Sequence, residues 1–294
     1  MLTLIDSLFY IAFLGQIFLI SYYFPHKIHR RMQYVLETYP PSRYPRLYPK
    51  PIEYYRIGQW AFKIVNRVII IIGFVIMFIM LFVVDHSSFA DDGFISEFWP
   101  AAYGAIQFLP LVFLEFSECN QFKLMRKAHV STTRKANLNR RHLFGFVSPR
   151  LFAAAVSLFF AALFFDLYVL EFEIRWDRDA FQRALVLTAT NLLLIAVGAW
   201  TLRGRKSNPH QATEDRTRQI SAALHSVLYV SMVMSVFFMT QTADDVYDLD
   251  FLDATLMSLY FQVIVVMSLG HVLRSLSLED VNFDVYRDNG EALT

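Results

Sequence analysis

The residues of this chain that could do chemistry are the ionisable and amide side chains set inside long apolar stretches. Such groups are costly in hydrocarbon, so they are the first functional candidates. Residues 99–118 carry Gly104, Gln107, Glu115 and Glu118, at a spacing that places them on one helical face. Residues 220–240 align Ser221, His225, Tyr229, Met232 and Ser235 in the same way. Residues 252–273 bring Tyr260 and His271, followed by Arg274, near one face, with Gln262 off it. Residues 184–202 add Thr188, Asn191 and Gly198.

These stripes can face one another, so that Glu115 and Glu118 meet His225, His271 and Arg274 near one end of the helices. Two chemistries fit that cluster. One is a salt-bridge and hydrogen-bond cluster that holds helices together. The other is a proton- or ion-responsive gate, because buried carboxylate–histidine pairs can titrate near neutral pH. Gln107, Thr188, Asn191, Tyr229, Tyr260 and Gln262 would then line a pathway or cavity. Glu118 and Arg274 lie close enough to the interface to snorkel into water. At the opposite ends, Asp6, Asp166 and Asp253 are expected to be solvated helix ends, the alternative being an acidic mouth that concentrates cations.

Other chemistries lack their residues. No nucleophile elbow, HExxH or P-loop is present. His26 and His29, with His129, His142 and His271, do not form the tight repeated clusters of membrane di-iron sites, so no metal and no cofactor is expected. A retinal Schiff base needs a lysine in the last helix, and the last lysine is Lys206, in a loop, so no retinal of that type is bound. Cys119 is the only cysteine, which excludes an intrachain disulfide. Lys123 lies one turn on, but a lone thiol points to no chemistry by itself.

The elements that must position these residues emerge from composition. The 294 residues are 55% apolar, include 29 Phe and are only 18% charged. Several apolar runs exceed the ~17 residues needed to cross hydrocarbon. Seven spans are expected, at 4–24, 67–84, 99–118, 151–170, 184–202, 220–240 and 252–273. Lys and Arg segregate between their connections, 24 on one side against 3 on the other. The positive-inside rule then places the N-terminus outside and the C-terminus in the cytoplasm. The opposite loops are acidic, with Asp85, Asp91, Asp92 and Glu97 in one and Asp244, Asp245, Asp248 and Asp250 in another. The first span lacks a basic leader and a cleavage site, so it is read as retained rather than as a signal peptide.

The loop 25–66 divides in three, the last part a helix that can run from Ile52 past Trp60 into the second span. Residues 26–38 place Ile28, Met32, Val35 and Leu36 at helical spacing against Lys27, Arg30 and Arg31, a basic amphipathic helix suited to a membrane surface. Next come three Tyr-Pro pairs, led by Tyr39, Tyr44 and Tyr48. Proline fixes φ and removes donors, so this is an extended strap. Arg30, Arg31 and the three tyrosines form the candidate interaction surface. Ala153, Ser157 and Ala161 repeat at four-residue spacing, a seam for close helix approach. The acidic tail 274–294 is too polar to hold a core and is expected to be mobile.

The fold is thus expected to be all-α, a seven-helix transmembrane bundle. The function reading is a non-enzymatic polytopic membrane protein, acting as a sensor, receptor-like module or subunit of a membrane assembly. Its contacts would be the bilayer, anionic lipid headgroups at the basic loops, and a membrane or cytoplasmic protein partner, but no nucleic acid. The alternative is a transporter or channel, with a polar pathway between the third, fifth, sixth and seventh helices gated by the Glu/His cluster. The single cysteine and the lack of an Asn-x-Ser/Thr sequon suit a bacterial inner membrane.

Overall fold

The computed structural model describes residues 4–82, 98–128, 141–172, 179–204 and 208–287. The chain forms helices in the order α1 (Leu4–Gln16), a π-helical segment (Ile17–Tyr23), α2 (Phe24–Thr38), α3 (Ile52–Phe82), α4 (Phe98–Ala128), which runs through Pro110, α5 (Pro149–Val169), α6 (Asp179–Arg203), α7 (Thr213–Tyr247), α8 (Asp253–Met267) and α9 (Leu269–Ser275). Among the described residues there is no strand. Among the described residues six helices are long and apolar enough to cross a bilayer: Ser7–Thr38, Ile52–Phe82, Pro149–Val169, Phe181–Arg203, Thr213–Tyr247 and Asp253–Ser275. These are the helices of a polytopic membrane protein. α4 is as long as α3, but Gln107, Glu115, Glu118 and its basic last turn dilute its apolar run.

The first expected span and the amphipathic helix are one continuous helical rod from Leu4 to Thr38, with a π-helical stretch at its middle. α1 packs on α8 and the π segment packs on α3, while α4 lies against α3 and α8. Phe9, Phe13, Ile17, Ile69, Met80, Tyr103 and Ala254 form the core of this half. Gly73 is required there, because a Cβ at that position would overlap the Tyr103 ring. The other half is α5, α6 and α7, packed pairwise, and α7 joins the two through α8 and α9. α5 starts cleanly: Ser148 accepts a hydrogen bond from the Leu151 amide and Pro149 takes the first helical position.

Two expectations about faces change. Ala153, Ser157 and Ala161 point outward, and α5 instead buries Ala155, Ala162 and Asp166. The tail is packed, not free, as far as Arg287. Its turn Phe283–Tyr286 lies on the strap, because Leu278, Val281, Phe283, Val285 and Tyr286 supply an apolar face that its acidic residues mask in composition. The acidic loop carrying Asp85, Asp91, Asp92 and Glu97, and also His129, lies outside the described residues.

Candidate functional site

The strap begins where α2 ends at Thr38. Its prolines give it a short 3-10 turn at Pro45–Leu47. Tyr48 Oη donates to the Tyr39 carbonyl at 2.8 Å and ties the strap back to α2. Tyr39 stacks on Phe283 with ring centroids 3.8 Å apart, and Tyr44 packs edge-on against Tyr39 at 5.1 Å. Tyr44, Phe283 and Tyr286 are buried together. Arg287 closes the contact by donating to the Tyr44 hydroxyl at 3.1 Å. Further anchors hold the tail on α7 and its approach. Asn208 Nδ2 donates to Tyr286 Oη at 2.6 Å, the Asn282 amide donates to Asp215 at 3.1 Å, and Arg218 donates to the Asp280 carbonyl at 2.8 Å.

Beneath this cap lies a cavity of about 810 Å³ between α2, α3 and α4. That is within the roughly 300–1,000 Å³ of small-molecule sites. Ile28, Met32 and Val35 of α2, Phe62 of α3, and Phe113 and Phe122 of α4 make its walls apolar. Its charged lining is one residue of each kind, Arg31 and Glu118, and amides such as Gln59, Gln121 and Gln219 and the phenols of Tyr48 and Tyr286 add further polar groups. The strap contributes Tyr48 and the tail contributes Leu278 and Tyr286, so the cap completes the wall. Burial pushes the Tyr48 phenol up to about 12. Burial likewise pushes the Tyr286 phenol up to about 12, helped by the charges of Asp215 and Glu118 and opposed by the Asn208 hydrogen bond. Both phenols are therefore neutral donors across the physiological range.

The expected Glu/His cluster is placed in two parts. Glu118 lines the cavity, and both it and Glu115 beside it on α4 are exposed. His225 and His271 stack on each other with centroids 5.1 Å apart, and Tyr229 meets the His271 ring edge-on at 5.1 Å. His225 Nδ1 also lies 2.8 Å from the Ser221 carbonyl, His271 Nε2 lies 3.1 Å from Ser275 Oγ, and Arg274 donates to the Gly270 carbonyl of its own helix. Among the described residues, no hydrogen bond or ion pair joins either glutamate to these histidines or to Arg274. Arg31 donates to the Leu273 carbonyl and ties α2 to α9; Arg30 is exposed.

The expected pathway residues are distributed among separate helix contacts. Gln107 belongs to a buried chain of hydrogen bonds at the π segment. Gln16 Nε2 donates to Gln107 Oε1 at 3.0 Å, and Gln107 Nε2 donates to Ser21 Oγ at 2.8 Å. Ser21 Oγ lies 3.3 Å from Tyr103 Oη, which donates to the Ile69 carbonyl at 3.0 Å. Gln107 also donates to the Gln16 carbonyl at 3.2 Å, a backbone group beside the π turn. Asn191 accepts from Ser231 and joins α6 to α7. Thr188 donates to the Ala184 carbonyl of its own helix. Gln262 donates to the Ala12 carbonyl at 2.9 Å and joins α8 to α1, and Tyr260 packs on Phe237 at 4.3 Å.

Comparison with family models, curated proteins and solved structures returns no match.

Two features escaped the sequence pattern. Asp166, expected in water, is fully buried and accepts a hydrogen bond from Thr242, also fully buried. Asp253 begins α8 and Asp6 lies in the first turns of α1. Arg183 and Asp245 pair close by. The tail's partnership with the strap is the second feature. Its signal was present in Phe283 and Tyr286, aromatic residues three apart in an otherwise acidic stretch. Among the described residues no group of His, Cys, Asp and Glu is arranged to hold a metal ion.

Proposed function

We propose that this protein is a receptor-like membrane module in which occupancy of the cavity between α2, α3 and α4 is coupled to the docking of the tail on the strap. One observation carries the reading: Tyr48 of the strap, and Leu278 and Tyr286 of the tail, are themselves cavity wall. A ligand that needs the full wall binds the docked form better than the released form, and that differential affinity is what shifts an equilibrium. Tyr39 then passes the change outward, since it holds Tyr48 on one side and Phe283 on the other. With the tail released, Tyr39 and Tyr44 are free to receive a protein partner.

In this reading α4 is the third of seven crossing helices. Its 31 residues reach about 46 Å at 1.5 Å per residue, enough for ~30 Å of hydrocarbon. The segregation of Lys and Arg, 24 against 3, supports an external N-terminus and a cytoplasmic cap. Gln107, Asn191 and Gln262 are each committed to helix–helix hydrogen bonds, which favours a receptor-like role over a transport pathway.

Phe283→Ala tests the reading. Phe283 is buried in the latch and apart from the cavity lining. Losing a buried phenyl should speed hydrogen exchange over 39–48 and 278–286 by at least about tenfold. The transmembrane helices should keep their protection. Unchanged exchange in the strap would show that the tail does not hold it, and the coupling would fail.

A further inference from the structure

The chemistry of the cavity selects a class of occupant. Its lining carries one guanidinium, Arg31, and one carboxyl group, Glu118, and among the described residues no ion pair joins them. Around them lie amides able to accept and donate, Gln59 and Gln121 on α3 and α4. Gln121 spends only its amide nitrogen, on the Leu47 carbonyl, which leaves its carbonyl oxygen to accept. The remaining wall is apolar and reaches the outer surface of the bundle. Ile57 and Val65 of α3 and Phe113 of α4 line the cavity and are also 65%, 42% and 68% exposed, on the outward apolar faces of the two helices.

Opposite charges within one chamber that opens onto an apolar helix face match a zwitterion carrying an apolar chain. A free zwitterionic solute would leave the apolar walls unmatched. An anionic lipid would leave Glu118 facing its charge, and a cationic amphiphile would do the same to Arg31. The ammonium partner is a carboxyl group on a lining that also carries amide acceptors, which suits an N–H donor. Tyr54, an aromatic face on the lining, already carries the Lys50 ammonium 3.6 Å over its ring, so a quaternary ammonium finds that face taken.

We infer that the cavity is a binding site for a membrane phospholipid whose headgroup joins a phosphate to a primary ammonium, the phosphate held at Arg31, the ammonium at Glu118, and the acyl chains leaving past Ile57, Val65 and Phe113. This deepens the receptor-like reading and rests on it only for its consequence at the tail.

Gly58 provides the test. It lies on the cavity wall, and a Cβ added there meets nothing within 4 Å. Gly58→Leu therefore adds a bulky apolar side chain at the cavity wall with open space at its Cβ, and it replaces a poor helix former by a good one. Its melting temperature should equal or exceed that of the wild type, which separates blocked binding from misfolding. The full chain is exchanged into mixed micelles containing equal amounts of dioleoyl phosphatidylethanolamine, phosphatidylcholine and phosphatidylglycerol. Lipid retained on the protein is then read by native mass spectrometry.

Wild type should retain one phosphatidylethanolamine at about tenfold or more over phosphatidylglycerol, the scale of one hydrogen bond to a charged group. Gly58→Leu should lose it, and Glu118→Gln should remove the preference while keeping the fold. Equal retention of all three lipids by wild type and Gly58→Leu would mean annular lipid only and would overturn the assignment. Preference for phosphatidylglycerol, or equal retention of phosphatidylcholine and phosphatidylethanolamine, would overturn it too. Selective phosphatidylethanolamine binding with no effect on tail exchange would leave the lipid site standing and remove the coupling. A tail that responds to a different lipid class would do the reverse.

Discussion

Gln107 and Glu115 share one stripe of the sequence and meet opposite fates. Gln107 is buried and satisfied on both ends of its amide, while Glu115 is exposed. Gln107→Leu strips partners from Gln16 and Ser21 and should cost about 1–3 kcal/mol. Glu115→Gln should fall within about 0.5 kcal/mol of wild type, as surface changes usually do. Thermal unfolding of the two variants in one detergent checks the contrast. Periodicity could find Gln107, because a polar residue inside an apolar run shows which face is buried. It could not find Gln16 or Ser21 as its partners, since those lie in a different helix and only packing brings them to it.

The latch has its own residue-level signature in pH. Tyr48 and Tyr286 have phenols raised from 10.0 to about 12 by burial. Below pH 10 they are protonated in the docked and released forms alike, so docking is at full strength. Between pH 10 and about 12 a released phenol ionises and a docked one does not, so docking weakens as pH rises through that window. The part of the tyrosinate absorbance that is lost in a Tyr48→Phe, Tyr286→Phe double variant should rise together with hydrogen exchange in the strap. That part rising near pH 10 with the strap still protected would contradict the burial argument.

At the scale of elements, six of the seven expected spans have counterparts among the apolar helices, because length and apolarity are what lipid demands. The joints were less legible. Nothing in the run IFLISYY marks a π helix, since its residues suit an α-helix equally well. The extra residue per turn is recognised only by what it aligns, here Gln16 and Ser21 facing Gln107. Deleting Phe18, an outward-facing residue of that segment, turns the residues before it by about 100° relative to those after it. Phe9, Phe13 and Gln16 then leave their partners on α3, α4 and α8. The deletion should lower the melting temperature far more than Phe18→Ala, which only trims an exposed ring. Equal effects would mean that the π segment sets no register. The packing of the tail was hidden for a different reason: average polarity masks a short amphipathic turn, and Phe283 and Tyr286 become informative only once the strap offers them a surface.

At the scale of the whole molecule, the proposed arrangement has the cavity, strap and tail on the basic, cytoplasmic side. Cys119 reports on that directly. It is exposed, is the only cysteine, and comes directly after Glu118 of the cavity lining. A membrane-impermeant maleimide should spare it in intact cells and label it in inverted vesicles; labelling in intact cells would reverse the orientation. The coupling of cavity to cap is the central claim, and Gly58→Leu meets it most squarely, since the new side chain enters the chamber from α3, where nothing of the tail lies within 4 Å of its Cβ. Hydrogen exchange over 278–286 should be compared between wild type and Gly58→Leu in the same bilayer. Coupling predicts faster exchange in the variant, because an excluded ligand no longer favours the docked tail. Identical exchange in a variant that melts no lower than wild type would contradict it.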